Sequence, residues 1–231
     1  MVVSIYGFPP LELILFTVLG GTLLAVSANV LNQIFEISTD SLMERTVNRP
    51  LVTGEVSKKN AYIYSISLGL FGYLILYTQS TTLAANIALS ANIFYSFIYT
   101  LILKPRTNQN IVIGGAAGAA PVLIGWSATG AELEIGSWLL FLLVFLWTPA
   151  HFWALSLENI DDYKDADFPM LPTQESKKRT AIFIGVYSCA TVITSILLAP
   201  ILQLGITYLV LALLFGICLL YTSDAADEWC C

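Results

Sequence analysis

Seven apolar segments, each close to the length that crosses a bilayer, dominate this 231-residue chain. A membrane-spanning α-helix needs about 20 predominantly apolar residues. Only 11% of the residues are charged, whereas a soluble domain has about 25%. The sequence therefore predicts an all-α, polytopic membrane helical bundle. Its helices are expected at roughly residues 10–33, 60–78, 83–103, 111–128, 138–158, 180–199 and 204–221.

Positive charges are confined to alternate connections between these segments. All ten Lys and Arg residues lie in the first, third and fifth connections. Because Lys and Arg are enriched in cytoplasmic loops, this pattern places those three connections in the cytoplasm. The net charge of −6 argues against a nucleic-acid partner.

An acidic stripe follows the first apolar segment. Asn32, Glu36 and Asp40 are four residues apart, so their side chains share one face of a helix. Carboxylates are costly in or near hydrocarbon and must be hydrated, paired or bound to a ligand. Mg²⁺ is the favoured ligand, since it takes one or two protein carboxylates and completes its coordination with water and phosphate oxygens. Arg45 and Arg49 follow directly and offer planar donors that suit phosphate.

A second acidic stretch ends the fifth apolar segment. Asp161 and Asp165 repeat the four-residue spacing, with Asp162 beside them and Lys164 between them. Two carboxylate stripes that face one cavity repel each other unless cations lie between them, and magnesium ions bridging a diphosphate would remove that repulsion. Each stretch alone could be an ordinary charged helix end. The matched pair on one side of the membrane favours a catalytic diphosphate site.

Three features of the apolar segments each have two interpretations. Tyr95 and Tyr99 share a helix face near its end and are either interfacial anchors or aromatic rings that stabilise a carbocation. Gly114 and Gly118 form a GxxxG pattern, which permits close approach of a helix or of a flat ligand. His151, the only histidine, is either hydrogen-bonded to a neighbouring helix or a ligand or proton-handling group.

Several longer motifs occur in a fixed order between residues 20 and 175. They are the NxxxExxxD stripe at 32–40, Met-Glu-Arg-Thr at 43–46, Asn-Arg-Pro-Leu at 48–51, the Gly-rich stretch 110–119 with Ile-Gly-Trp at 124–126, and residues 151–155, 162–163 and 169–172. Together they resemble the heme-modifying branch of the UbiA superfamily of intramembrane prenyltransferases. In that superfamily's Asn/Asp-rich motif, Asp is common at the position that Glu36 takes here.

The resemblance implies an enzyme that transfers a farnesyl group from farnesyl diphosphate to a vinyl group of heme b. The product would be heme O for terminal oxidases, the cofactor Mg²⁺, and the candidate partners heme A synthase and terminal oxidase assembly proteins. Catalytic roles are implied for Asn32, Glu36, Asp40, Asp161, Asp162 and Asp165, with metal contacts from all of these except Asp162. The second motif is looser in this branch, so which of its three aspartates binds metal stays open. Substrate-binding candidates are Arg45, Arg49, Tyr95, Tyr99, Lys104, Arg106, His151 and Lys164.

The two ends of the chain carry a separate expectation. The family fold has nine helices, and the sequence shows seven. Residues 218–231 resemble a translated sequencing-library adapter. We therefore expect a prenyltransferase domain at residues 1–217 that is shortened at both ends, and a natural protein that continues with one or two further helices.

Two other functions fit parts of the pattern. A UbiA-type enzyme acting on a quinone precursor would share the diphosphate site and differ in the acceptor. A transporter or channel would place acidic residues near the middle of the apolar segments, whereas here they cluster at segment ends on one side. The prediction is therefore an integral prenyltransferase of a bacterial plasma membrane, with its site at the cytoplasmic side.

Overall fold

The computed structural model describes residues 1–4, 7–158, 160–165 and 169–228, without the side chains of Asp162, Asp165 and residues 222–228. Over this part the chain is helical and has no strand. Four short helices lie in the connections, at Ile37–Asp40, Pro50–Thr53, Ile160–Asp165 and Leu171–Gln174. The long helices are α1 (Leu11–Phe35), α2 (Lys58–Gln79), α3 (Thr82–Leu103), α4 (Asn110–Ser127), α5 (Ile135–Glu158), α6 (Lys177–Ile201) and α7 (Ile206–Glu228).

The predicted all-α membrane bundle is confirmed. Helices α1 to α6 are long and apolar enough to cross a membrane, and α7 is apolar over Ile206–Tyr221. Three helices begin one to three residues before their predicted apolar segments, because a hydroxyl caps the first turn. The side chains of Ser57, Thr81 and Ser176 accept hydrogen bonds from backbone N–H groups three residues further on, at 3.2, 3.1 and 3.3 Å. Such caps satisfy N–H groups that the helix itself leaves unpaired.

Helices α1 and α2 approach so closely that their backbones touch. A Cβ atom added to Gly72 would lie 2.7 Å from the Gly20 carbonyl oxygen, and one added to Gly20 would lie 2.9 Å from the Gly72 carbonyl oxygen. Nearby, the Ser65 hydroxyl donates to the Ser27 carbonyl oxygen at 2.9 Å. Small residues and short polar side chains are the usual means of packing helices within a membrane.

Replacing Gly72 with leucine is expected to destabilise this helix pair. The new side chain would meet backbone atoms of α1, which cannot move aside, so we expect a loss of about 1–3 kcal/mol of stability. Thermal unfolding in detergent measures it as a lower transition temperature. Gly185→Leu is the matched control, because a Cβ there meets no atom within 4 Å. Equal transition temperatures for the two variants would contradict the close contact.

The second half of α3 is wound differently from the first. Residues Phe94–Leu103 form a π-helix, in which backbone hydrogen bonds reach back five residues. One such backbone bond runs from the Lys104 N–H to the Tyr99 carbonyl oxygen at 2.8 Å. In addition, the side-chain hydroxyl of Thr100 donates to the Tyr95 carbonyl oxygen at 2.9 Å. π-Helical turns are rare and occur often at functional sites.

Three charged connections meet at one end of the bundle. Met43 of the first connection packs with Ile111 at the start of α4 and with Met170 of the fifth connection, and Tyr163 packs against this cluster. The Asn110 side chain also donates to the carbonyl oxygens of Lys104 and Pro169, both at 3.4 Å. The first, third and fifth connections therefore lie together, as the charge pattern requires of loops on one side of a membrane.

Candidate functional site

The acidic stripe lies at the end of α1 and faces the interior of the bundle. Asn32 is in the last turn of α1, Glu36 is the residue that ends the helix, and Asp40 closes the short helix that follows. The Glu36 N–H donates to the Asn32 carbonyl oxygen at 3.0 Å, and the Asp40 N–H donates to the Glu36 carbonyl oxygen at 2.7 Å. These hydrogen bonds keep a helix-like spacing through the junction. All three residues are buried, with exposures of 7%, 7% and 4%.

Each member of the stripe has a protein partner. Lys104 Nζ lies 2.6 Å from Glu36 Oε1 and 2.7 Å from Oε2, so one ammonium group contacts both carboxylate oxygens. Arg49 Nη1 lies 2.5 Å from Asp40 Oδ2. Two charges that are largely removed from water need such pairing, since an unpaired buried carboxylate is costly.

Asn32 completes the stripe with its amide. Its Nδ2 donates to the Thr100 hydroxyl at 3.1 Å. This hydrogen bond engages the amide nitrogen of Asn32 and leaves its amide oxygen available to a ligand. The stripe thus offers oxygen atoms of two kinds, carboxylate and amide.

A cavity of about 430 Å³ extends from the stripe into the bundle. Its charged end includes the stripe, Arg45, Arg49 and Lys104. Its interior is lined by small and apolar residues of α1, α3 and α4, namely Gly21, Leu24, Ala25, Ala28, Ala88, Ala91, Ala117, Gly118, Ala120, Pro121 and Ile124. The helical rise puts Gly21 about 16 Å from Asn32 along α1. The cavity can therefore hold a long apolar chain with a charged head at its mouth.

Two tyrosines of α3 precede Lys104 along the cavity-lining helix. The rings of Tyr95 and Tyr99 stack with centroids 5.3 Å apart, and both residues line the cavity. Gly114 makes room for them, because a Cβ there would lie 2.3 Å from the Tyr99 ring. Of the GxxxG pair, Gly114 thus packs against a ring, while Gly118 faces open cavity with no atom within 4 Å of an added Cβ.

The second acidic stretch reaches the cavity through a residue between its aspartates. Tyr163 lines the cavity, as does Met170 beyond it. Asp161 does not line it: its side chain is 90% exposed, and its carboxylate lies 3.7 Å from Lys164 Nζ. The side chains of Asp162 and Asp165 fall outside the described part of the structure.

The remaining predicted substrate-binding residues lie away from the cavity. Lys164 and Arg106 are exposed and do not line it. His151 is also exposed, with its ring stacked on Trp147 at a centroid distance of 4.5 Å and set edge-on to Phe152. Since Phe152 does line the cavity, His151 lies one ring away from it.

The residues present fit a magnesium ion that shares its coordination with a phosphate group. Among the described side chains, no three His, Cys, Asp or Glu residues converge as a metal site. Mg²⁺ does not require that, because it keeps several water or phosphate ligands and takes only one or two carboxylates. Glu36, Asp40 and the Asn32 amide carry hard oxygen atoms of this type.

Several cavity residues were not among those expected from the sequence. Tyr163, Met170, Gln33, Asn29 and Asn92 all line the cavity. Asn92 is fixed by a hydrogen bond of 2.8 Å to the Leu24 carbonyl oxygen. Tyr163 and Met170 belong to the motifs at 162–163 and 169–172, which carry the family resemblance but predict no role for these two side chains. The three amides are polar residues in apolar segments, which is itself a signal of a bundle-facing position.

Comparisons with known proteins agree with this architecture. Residues 1–227 match the UbiA prenyltransferase family. A protein named protoheme IX farnesyltransferase from Thermus thermophilus is 42% identical over 219 residues, which are 95% of this chain and 36% of that protein. Another of that name from Synechocystis sp. is 45% identical over 211 residues, 91% of this chain and 67% of that protein. The chain thus spans between about one third and two thirds of these relatives.

A solved structure shares the fold. It is a UbiA homolog from Archaeoglobus fulgidus bound to DMAPP and Mg²⁺, with a TM-score of 0.79 and 20% identity, over 98% of this chain and 81% of that one. Sequence and fold agree with a membrane bundle that holds an acidic stripe at the mouth of an apolar cavity. This chain is an integral membrane protein that belongs to the UbiA prenyltransferase family.

Proposed function

We propose that this protein transfers a farnesyl group from farnesyl diphosphate to a vinyl group of heme b and so forms heme O. The observation that carries the proposal is the cavity itself, which has paired charges at its mouth and an apolar interior. A prenyl diphosphate has the same division into a charged head and an apolar tail. The names of the similar proteins from Thermus thermophilus and Synechocystis sp. support heme as the acceptor.

The reaction balances with water as the second reactant. The bond between C1 of the farnesyl group and the diphosphate oxygen breaks, and its electron pair leaves with the diphosphate. The π electrons of the vinyl group form the new carbon–carbon bond to the allylic cation. Water then adds to the carbon next to the heme ring and loses a proton, which gives a hydroxyethylfarnesyl substituent.

The charged end of the cavity would stabilise the leaving group. Arg45, Arg49 and Lys104 supply donors for diphosphate oxygens, and positive charge aimed at a developing anion lowers the barrier to its departure. Mg²⁺, held by the stripe, would add further positive charge there. The stacked rings of Tyr95 and Tyr99 would face the allylic cation, which aromatic faces attract. The apolar walls would keep water from the cation before the vinyl group reaches it.

The charge pattern sets the proposed location. The end of the bundle that carries the stripe would face the cytoplasm, by the excess of Lys and Arg in its connections. In a bacterium the membrane would be the plasma membrane. Heme A synthase and terminal oxidase assembly proteins are proposed as partners that take up the product.

Membranes that contain the protein test this function directly. With radiolabelled farnesyl diphosphate and heme b, label should appear in a heme of higher mass, identified as heme O by chromatography and mass spectrometry. With 4-hydroxybenzoate in place of heme b, no labelled product is expected. Labelled 4-hydroxybenzoate without labelled heme would contradict the proposal and indicate a quinone precursor as the acceptor.

We expect the second acidic stretch to contribute to the reaction through Asp161 and Asp165. Tyr163 lies between them and lines the cavity. Residues two positions away from it lie about 160° around a helix, so this short helix would have to turn over or unwind for either carboxylate to reach the mouth. The Asp161→Asn, Asp165→Asn double variant should lower heme O formation by about 100-fold, since metal-bound charge contributes several kcal/mol to such transition states. Glu132→Gln, in the fourth connection at the other end of the bundle, is the control. Unchanged formation in the double variant would exclude both of these aspartates from the reaction.

A further inference from the structure

Two amide side chains lie inside the cavity, beyond its charged mouth. Asn29 and Asn92 line it together with alanine and glycine residues of α1, α3 and α4. Asn29 comes three residues before Asn32, and Asn92 comes three residues before Tyr95, so each lies about 4.5 Å further into the bundle along its helix. A polar group in apolar surroundings needs a hydrogen-bond partner, because an unsatisfied amide there is costly.

Asn92 is held in one orientation by the neighbouring helix. Its Nδ2 donates to the Leu24 carbonyl oxygen of α1 at 2.8 Å. This bond uses the donor side of the amide, and none of the described residues donates a hydrogen bond to Asn92 Oδ1. The oxygen is thus an acceptor that a molecule inside the cavity can use.

Asn29 offers a whole amide to the cavity. Its side chain is exposed and lines the cavity, and within the described part of the chain it makes no hydrogen bond. Ordered water occupies internal sites that are both polar and large enough to hold it, and the cavity measures about 430 Å³. The two amides therefore form a place where water can be held within an otherwise apolar wall.

The proposed reaction needs water at one defined place. The vinyl carbon that bonds to C1 of the farnesyl group is adjacent to the carbon that takes up water, so the latter carbon ends two bonds away from C1. C1 begins at the diphosphate, and hence at the charged mouth. A water just inside the mouth is within reach of this carbon and is kept apart from the diphosphate. Without a positioned water, the cation beside the heme ring loses a proton from the neighbouring carbon and an alkene forms.

We propose that Asn29 and Asn92 hold the water that adds to the cation beside the heme ring, and so direct the reaction to an alcohol. Asn92 Oδ1 accepts a hydrogen bond from this water, and the Asn29 amide supplies a further partner. A lone pair of the water forms the carbon–oxygen bond, and the proton that is released passes to the departed diphosphate. A neutral amide takes up no proton, so both are positioning residues. The inference rests on the proposed transfer to heme and concerns only its last step.

The Asn29→Leu variant tests this inference through the ratio of two products. Leucine has a similar size and offers no hydrogen bond, so part of the cation should lose a proton instead of gaining water. The ratio of heme O to the alkene should fall about 10-fold, which corresponds to about 1.4 kcal/mol, the contribution of one hydrogen bond. The alkene is lighter than heme O by the mass of one water, so chromatography and mass spectrometry distinguish the two products.

The ratio separates positioning of water from a merely structural role. A structural role would lower the total of both products and leave their ratio unchanged, and that result would overturn the inference. Asn29→Gln keeps an amide and should restore much of the ratio. Asn92→Leu should shift the ratio in the same direction as Asn29→Leu, and its total should fall as well because the bond to Leu24 is lost.

Asn86→Leu is the matched control. Asn86 is an exposed asparagine on the same helix as Asn92, it does not line the cavity, and its Oδ1 accepts a hydrogen bond from the Tyr73 hydroxyl at 3.1 Å. Its removal should leave the ratio of the two products unchanged. An equal shift in Asn86→Leu and Asn29→Leu would contradict a role for the cavity amides.

A measurement on the unaltered protein keeps the inference testable without any variant. Water held on one side of the cation gives the alcohol carbon a single handedness, whereas free water gives both mirror-image forms. Chiral chromatography of the heme O should therefore show one form, and equal amounts of both would overturn the inference. Absence of any farnesylated heme would refute the proposed function, whereas heme O of both forms would refute only the role of the amides.

Discussion

Heme O formation is expected to fall by about 100- to 1000-fold in the Asp40→Asn variant, the range found when one preorganised electrostatic group is removed from an active site. Asp40 is buried at the cavity mouth and paired with Arg49. Asparagine keeps the size of the side chain but removes the charge that would hold a metal. The measurement is heme O in membranes of cells that express the protein, extracted and quantified by chromatography.

The control for this variant is Glu12→Gln, in the exposed first turn of α1 at the opposite end. It removes one carboxylate from α1, the helix that precedes Asp40, and heme O formation should stay at the level of the unaltered protein. Thermal unfolding of both variants separates loss of the site from loss of the fold. Normal heme O formation by a folded Asp40→Asn protein would exclude Asp40 from the metal site.

The Gly118→Phe variant is expected to lower farnesyl transfer by about 100-fold, because displacing a reacting group by even about 1 Å can cost that much. Gly118 lines the cavity, and a Cβ there meets no atom within 4 Å. The new ring can therefore enter the cavity without a clash in the core and would occupy space meant for the prenyl chain. The loss should be measured as initial rates with farnesyl diphosphate.

A shorter substrate tests whether the cavity holds the prenyl chain of the substrate as proposed. With dimethylallyl diphosphate the same variant should lose much less of its rate, since less of the cavity is needed. The Gly185→Phe control lies on α6 where an added Cβ also meets nothing, and its rates should be unchanged. Equal losses of rate with both substrates would show that the substitution at Gly118 disturbs the reacting groups and not the binding of the prenyl chain.

The helices and the stripe could be predicted from the sequence because both depend on short-range spacing. Apolar length determines a membrane helix, and four-residue spacing determines a helix face. Asn32, Glu36 and Asp40 accordingly lie together along one cavity. The match over residues 1–227 then confirmed the family that the ordered motifs resembled.

The partners of the stripe could not be predicted in the same way. Glu36 and Lys104 are 68 positions apart in the chain, and their contact depends on how α3 is wound and packed against α1. The position of His151 relative to the cavity could not be predicted either. Helix α5 is apolar on all sides, so its sequence does not indicate which face lines a cavity. The aspartates on either side of Tyr163 predict metal binding, and nothing in their spacing indicates that the tyrosine ring lines the cavity.

The π-helical half of α3 has a consequence for how this site can be altered. A backbone that closes each hydrogen bond over five residues carries one more residue per bond than an α-helix does. A π-helix therefore turns less per residue than the 100° of an α-helix. If the same ten residues were wound as an ordinary α-helix, everything after them would be rotated around the helix axis, and Lys104 would point in another direction than toward Glu36. In this family member, the winding of that stretch is thus as restrictive as its composition.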